Sequence, residues 1–588
     1  METQVPQQPK THSSSMVLSA TVQSGTATSQ AELDRALEAI KGKAQEFARL
    51  PLAEKRRLLA ECRAGVRAVA AEWVAAACRA KGVDPGSPRA GEEWLAGPVI
   101  TTRNLRLLED SLAEIERQGK PRLGQRVHTR ADGRVEIGVA PASIYDQALF
   151  AGFSAKVVLL PGWSESQARG QQASFYDRRN PAGGLALVLG AGNVASIPPT
   201  DAMYKMFVEG LVCIVKMNPV NEYLGPYFER ALRPLIERHY LGITYGGGEV
   251  GSYLTYHPLV DDVHITGSDR THDLIVWGPP GPERERRMRD KDPLLKKPIT
   301  SELGNVSPVV LAPARFSDEE LWFHARNVAS MVTNNASFNC NAAKILVTST
   351  RWPQREAFRR LVAKALGEVP TRRAYYPGAH ERYQQLTAGR KADFIGQGGG
   401  DRLAWALIPE VDAKNAEDPL WRTEPFCGIL TETALEAGDP AAFLGEAARF
   451  CNERLWGTLN AMMIVHPSIE KDPAGARAVT EAVDELRYGT VGINHWPAVS
   501  YALSSPPWGG HPSATLDNVQ SGLGWVHNTF MLEGIEKAVL RGPFRAIPKP
   551  AWFYDHRNGH RVGAQLVDFE AAPGWGKVPR LALAGILG

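Results

Sequence analysis

The order of apolar and polar positions divides the chain into two textures. From about residue 31 to 118, apolar residues recur at helical spacing in a background of Ala, Leu, Glu and Arg. RRLLAECRAGVRAVAAEWVAAACRA is an example, and the stretch predicts a run of helices. From about residue 135, short β-branched runs stand between Gly and Pro. GLALVLG, LVCIVKM, VDDVHITG, SPVVLAP and AKILVTS read as strands. Helical stretches such as EYLGPYFERALRPLIERHY lie between them. Strands alternating with helices predict an α/β fold with mostly parallel sheets. A second alternation follows Glu302 and runs to about Asn494, so two successive α/β units are expected, over 31–301 and 302–510. The first carries an extension at about 135–180. Residues 511–588 read as a C-terminal return and extension, and the tail after about 540 as an oligomer contact or an arm over a neighbouring domain.

Composition changes this picture little. A chain of 588 residues is too long for one core, and 44% hydrophobic with 22% charged residues is ordinary for a globular protein. A net charge of +3 gives no electrostatic case for nucleic acid or an anionic membrane. No apolar run approaches the roughly 18 residues of a membrane span. Residues 1–30 are polar and rich in Ser, Thr and Gln, so they read as a disordered leader without a signal core, and a cytoplasmic location is expected. Six scattered cysteines without CxxC spacing argue against a disulfide framework and against a metal site.

Four segments carry candidate chemistry. In NNASFNCNAAKILVTS, Cys340 sits in a polar loop just before a strand. A cysteine near a helix N-terminus or a cation has a depressed pKa and is nucleophilic; the alternative is an inert buried cysteine, against which the polar neighbours Asn339 and Asn341 speak. In ITSELGNVSPVVLAP, Glu302 ends an extended run and could activate water, or be a plain solvated carboxylate. LVLGAGNVASIPPTDAMYKMFVEGLVCIVKMNP runs strand, Gly-rich turn, helix and second strand to Lys216, an arrangement that lets backbone approach a pyrophosphate. In VDDVHITGSDRTH, the Gly267 and Ser268 amides could cradle a phosphate, or form a simple strand-to-helix turn.

Taken in order, these segments resemble the aldehyde dehydrogenase superfamily over about residues 135 to 535. Asn193 followed by Lys216 at the next strand end, ITGS, SELGNVSP, the cysteine loop with Asn335 ahead of Cys340, TEPFCGIL, YGTVGIN, PPWGG and SGLG each resemble a family segment. The resemblance implies a Rossmann-like nucleotide-binding domain, a catalytic domain, a small oligomerisation element and a homodimer or homotetramer. It implies NAD(P)-dependent oxidation of an aldehyde to a carboxylic acid. The Cys340 thiolate forms a thiohemiacetal whose oxyanion is held by Asn193 and the Cys340 N–H, hydride transfer leaves a thioester, and Glu302 activates water. Lys216 and Glu424 would hold cofactor ribose hydroxyls, with Phe426 in the same segment as Glu424 and with Gly267 and Ser268 at the pyrophosphate.

The chain departs from the family pattern in places. Ser337 and Phe338 replace Gly-Gln, Ala191 and Gly192 replace Pro-Trp, Ala202 stands where a lysine is usual with Lys205 one turn later, and His272 replaces a glycine. Residues 278–298 look like an inserted, solvated surface loop. Pro219 stands where NAD-preferring relatives often carry a glutamate; with Asn218 and Lys216 beside it, the cofactor choice leans to NADP, Glu222 being the one opposing carboxylate. Phe338, Trp496, Tyr501 and Trp508 would border a substrate tunnel and hint at an apolar aldehyde. Two other readings stand beside oxidation to an acid: a CoA-linked or acyl-thioester-reducing enzyme, and a non-catalytic scaffold.

Overall fold

The computed structural model describes residues 27–588, so the expected leader lies outside the described residues up to residue 26. The first helix, Gln30–Gly42, starts where Ser29 and Glu32 close a reciprocal capping box. The helix Leu52–Ala80 buries Leu58, Cys62, Val66, Val69, Trp73 and Ala77, which recur every three or four residues and form one stripe. That stripe packs with the helix Ile100–Gln118 and with the smaller of two main sheets in one apolar core.

The smaller sheet has five parallel strands. Their spatial order is Leu241–Thr244, Val212–Lys216, Leu185–Leu189, Asp262–Gly267 and Ile299–Leu303. The order reverses on either side of Leu185–Leu189, and such a reversal opens a crevice at the strand ends. The larger sheet has eleven strands. Its parallel centre runs through Asn460–Ile464, Pro308–Leu311, Ile345–Ser349 and Ile429–Leu435. At one side Ile535–Arg541 pairs in parallel with Thr490–Ile493 and antiparallel with Ser154–Leu159, so the strands of residues 127–159 join this larger sheet. The α/β class with mostly parallel sheets is as the sequence predicts.

Two segments resolve questions the sequence leaves open. Residues 282–290 are a helix, not a loop: a proline opens it, and Glu283–Arg287 and Arg286–Asp290 pair one turn apart, which supports a helix with no buried residue. The C-terminal tail is an arm over its own chain. Helix Gly559–Ala571 lies against the segments around Gly91 and Trp94. Buried Glu570 accepts from Arg103 at 2.8 Å and from Arg106 at 2.6 Å, and Arg103 also holds Asp146 through two hydrogen bonds. A buried charge needs such partners, so this cluster fixes where the tail docks.

Candidate active site

Glu302 lies near the end of the strand Ile299–Leu303, propped from the far side of the chain. Leu303 N–H donates to the Ser521 carbonyl at 2.9 Å, and Ser301 N–H to the Leu523 carbonyl at 2.8 Å, so the SGLG segment sets the strand's height. The Glu302 carboxylate is 2% exposed. Its Oε1 accepts from the Trp508 indole N–H at 2.7 Å and faces the Cys340 sulfur at 3.9 Å. Oε2 has no protein partner. Burial, with the Asp201 charge second, pushes this carboxyl up to about 8.

Asp201 is itself buried, and its Oδ2 accepts from Thr266 Oγ at 2.9 Å and lies 3.3 Å from His264 Nε2. His264 Nδ1 meets Thr300 Oγ at 2.9 Å. A polar chain therefore runs behind Glu302 through side chains that the sequence does not single out. Lys205 takes no part in it; it pairs with Glu209 at 2.9 Å and Asp262 at 2.8 Å.

Cys340 is the one cysteine of the six that is not fully buried. The loop leading to it is strained: Asn335, Ala336 and Ser337 have φ of 51°, 55° and 70°, a left-handed run that non-glycine residues rarely adopt. Hydrogen bonds hold it. Asn335 Nδ2 donates to the Asn193 carbonyl at 3.0 Å and the Phe338 carbonyl at 3.1 Å, and the Tyr375 hydroxyl donates to Asn335 Oδ1 at 2.9 Å. Asn335 N–H donates to Glu92 at 3.0 Å, and Arg372 pairs with the same carboxylate. Lys81, held by Glu93 at 2.9 Å, reaches the Asn193 carbonyl at 3.3 Å.

The thiol is not depressed as the loop's polarity suggests. Burial first, then the Glu302 and Glu424 charges, raise it well above the usual range, and Lys344 only partly offsets them. Of the two polar neighbours, Asn339 spends its side chain on Asn334 and Asn335, and the Asn341 oxygen, which has no hydrogen-bond partner, cannot stabilise a thiolate. A proton acceptor is therefore needed, and Glu302 is placed to be one. Asn193 sits beside this loop: one Nδ2 hydrogen goes to the Phe338 carbonyl at 3.0 Å, and its second remains for another acceptor.

The cofactor candidates divide between two places. Lys216 ends its strand buried, and burial lowers its ammonium to about 8 while the Glu222 charge works the other way. Asn218 turns back on itself, its Oδ1 accepting from Val220 N–H at 3.0 Å. Gly267 is exposed at the end of its strand, and Ser268 caps the helix Asp269–Trp277, accepting from Thr271 N–H at 3.2 Å. This is an anion-favouring helix start. His272 is fully buried, so it faces the interior and not an approaching phosphate.

Glu424 lies instead near the nucleophile, 3.5 Å from the buried Lys344 ammonium, and burial pushes its carboxyl up to about 7. Glycine at 304 makes room for it: a Cβ there would stand 1.9 Å from Glu424 Oε2. Phe426 packs against Tyr376 and Phe338 with centroids 4.9 and 5.9 Å away. Of the four aromatic tunnel candidates, Trp496 and Tyr501 line the cavity that reaches Cys340. Phe338 packs into the Tyr375, Tyr376 and Phe426 cluster, and Trp508 holds Glu302.

No family model and no curated protein matches the sequence. The fold has many solved counterparts. A glyceraldehyde-3-phosphate dehydrogenase from Methanocaldococcus jannaschii complexed with NADP superposes with a TM-score of 0.56 at 14% identity, covering 88% of this chain and 95% of that one. Aldehyde dehydrogenase 21 from Physcomitrella patens, in complex with the reaction product succinate, gives 0.58 at 14% identity over 89% and 92%. An aldehyde dehydrogenase C mutant from Pseudomonas syringae, complexed with NAD+ and octanal, gives 0.57 at 15% identity over 88% and 90%. The chain thus has the aldehyde dehydrogenase fold. Among the described residues no helix is long and apolar enough to cross a membrane.

Proposed function

We propose that this chain is a dehydrogenase that oxidises an aldehyde to a carboxylic acid through a thioester on Cys340, with a nicotinamide dinucleotide as cofactor. The observation that carries the reading is the thiol of Cys340 facing the buried Glu302 carboxylate at 3.9 Å, beside Asn193. Glu302 takes the thiol proton as sulfur attacks the aldehyde carbon. The second Asn193 N–H and the Cys340 backbone N–H serve the oxyanion, where charge develops only in the transition state. Loss of hydride leaves the thioester. Glu302, its proton passed on to solvent, then takes a proton from water as that water attacks the thioester, and the acid leaves as Cys340 is released.

The residues present fit a dinucleotide: a strand-end cation at Lys216, an exposed Gly267 turn with Ser268 at a helix start, and a Glu424 carboxylate whose buried Oε1 has only the Lys344 ammonium, 3.5 Å away, beside it. Lys216 and Glu424 would hold ribose hydroxyls, Gly267 and Ser268 the pyrophosphate, and Phe426 would pack beside the nicotinamide end. Bound there, the group supplies the hydride acceptor. NADP is accepted at least as well as NAD, because Pro219 brings no carboxylate and Asn218 Nδ2 and Lys216 can face a 2′-phosphate; Glu222 is the opposing charge. Assembly as a homodimer or homotetramer belongs to the same reading. A carboxylate at Glu302 favours water over CoA as the thioester's acceptor. Following reduced cofactor with an aldehyde panel, with and without CoA, tests all of this. Turnover only with CoA would replace hydrolysis by acyl transfer, and no turnover with any aldehyde would leave a scaffold.

A further inference from the structure

The cavity at Cys340 is far larger than the reacting carbonyl needs. It encloses about 550 Å³, within the roughly 300–1,000 Å³ of pockets that bury whole ligands. Its chemical end holds Cys340, Glu302, Asn339 and Asn341. Beyond these the walls are apolar, with Leu149, Phe150, Val499, Val562, Leu566 and Leu581 among them. The wide π-helical turn Leu95–Val99 contributes backbone and side chains on one side. The C-terminal helices Gly559–Ala571 and Val578–Ile586 contribute the other.

The charged side chains on the wall decide what can enter. Arg103 is committed to Asp146, Glu570 and the Leu503 carbonyl, and Glu570 also to Arg106. Glu92 pairs with Arg372; the partly exposed Arg545 pairs with exposed Glu319 at 2.9 Å, and Lys549 shares the Asp555 carboxylate with Arg326, at 3.1 and 2.9 Å. Among the described residues, then, each buried charged group on the wall apart from Glu302 has its counter-charge, and the cations with charge to spare, Arg545 and Lys549, are partly exposed in the segment of Ile547. A carboxylate or phosphate carried into the inner, apolar part of the cavity would have to break a buried pair or enter unpaired, and both are costly there. The outer rim is apolar as well. Ile547 and Ile586 line it and are 87% and 65% exposed, with Leu583 and Leu587 exposed beside Ile586.

Building on the proposed aldehyde oxidation, we infer that the substrates are uncharged, long-chain aliphatic aldehydes, with the hydrocarbon tail held between the 95–99 turn and the C-terminal helices. The C-terminal extension is then a substrate wall, and Leu566, Leu581 and Ile586 determine chain-length specificity.

The test has a turnover arm and a binding arm. In the first, kcat/KM is measured for n-alkanals from propanal to dodecanal, for glyceraldehyde 3-phosphate and for succinic semialdehyde. A gain of about fourfold per added methylene is expected until the cavity is filled, with poor turnover of both anions. Gly585 lines the cavity, and a side chain begun there meets no atom within 4 Å. Gly585→Trp should cut dodecanal turnover tenfold or more and leave propanal within twofold, while Leu566→Ala should move the optimum to longer chains. In the second arm, calorimetry on the wild-type chain compares 1-dodecanol with 1-butanol, and dodecanol should bind at least 100-fold more tightly. A flat chain-length profile, a preference for the anionic aldehydes, or equal binding of the two alcohols would overturn the inference. Tight dodecanol binding without oxidation of any aldehyde would support the tail site and sink the aldehyde-oxidation reading.

Discussion

Replacing Glu302 by Gln separates the two tasks given to this carboxylate and reads out its unusual setting. The amide keeps an oxygen for the Trp508 indole, 2.7 Å away in the native chain, so the strand has no reason to move. Deacylation loses its base, and general-base contributions are about 10²–10⁴-fold, so steady-state kcat should fall by that factor. Acylation also loses its acceptor for the thiol proton, but the Glu302 charge that raises the Cys340 thiol goes with it, so the thiol can release its proton to solvent and acylation should fall less than deacylation. Stopped-flow should therefore show a burst of reduced cofactor, followed by a slow steady state.

The same substitution changes stability with a definite sign. An unfolded Glu titrates near 4.5 and the folded Glu302 near 8. Between those values the folded chain holds a proton that the unfolded chain has released, so Glu302 costs stability increasingly as pH rises from about 4.5 through 8. At pH 7 that cost is on the order of 3 kcal/mol, from about 1.4 kcal/mol per pH unit over the interval above 4.5. Gln does not titrate. Urea unfolding of Glu302→Gln at pH 5 and pH 8 should show the variant gaining on the wild type at the higher pH. An unchanged steady-state rate, or a stability difference that is flat with pH, would refute the reasoning.

Three further outcomes follow from the site. Asp201→Asn removes the like charge behind Glu302, so kcat, which rises with pH as Glu302 ionises, should begin its rise at lower pH; a profile that stays in place or moves up would dissociate Asp201 from the base. Gly304→Ala should push Glu424 aside, raising the cofactor Kd in fluorescence titration while the fold persists, since the clash is with the end of a flexible side chain. Glu222→Gln should raise kcat/KM for NADP relative to NAD by about tenfold, roughly 1.4 kcal/mol, and an unaltered ratio would place Glu222 away from the ribose.

Much of this architecture is legible in the sequence because its signals are local. The apolar run LVCIVKM is strand because β-branched residues crowd between Gly and Pro, and Lys216 ends it as expected. Cys340 and Glu302 are legible as candidates from their segments. What supports them is not. Glu92 reaches the nucleophile loop from 243 residues earlier, and in the sequence it reads as an ordinary helical charge. Asp201 stands in a helix without any local mark of its burial behind Glu302. The raised thiol depends on burial and two carboxylates from separate segments, Glu302 and Glu424. The left-handed run at Asn335, Ala336 and Ser337 contains no glycine to announce it; only hydrogen bonds with distant segments, at Glu92, Asn193 and Tyr375, make it tenable.

The central claim is that the acyl group is carried by Cys340. It is tested most directly by mixing Glu302→Gln with aldehyde and cofactor, quenching during the slow phase with acid, and mapping the peptides by mass spectrometry. One acyl group per chain is expected on the peptide containing Cys340, absent when cofactor is omitted. An unmodified Cys340 peptide during continued turnover, or the acyl group on one of the five buried cysteines, would contradict it.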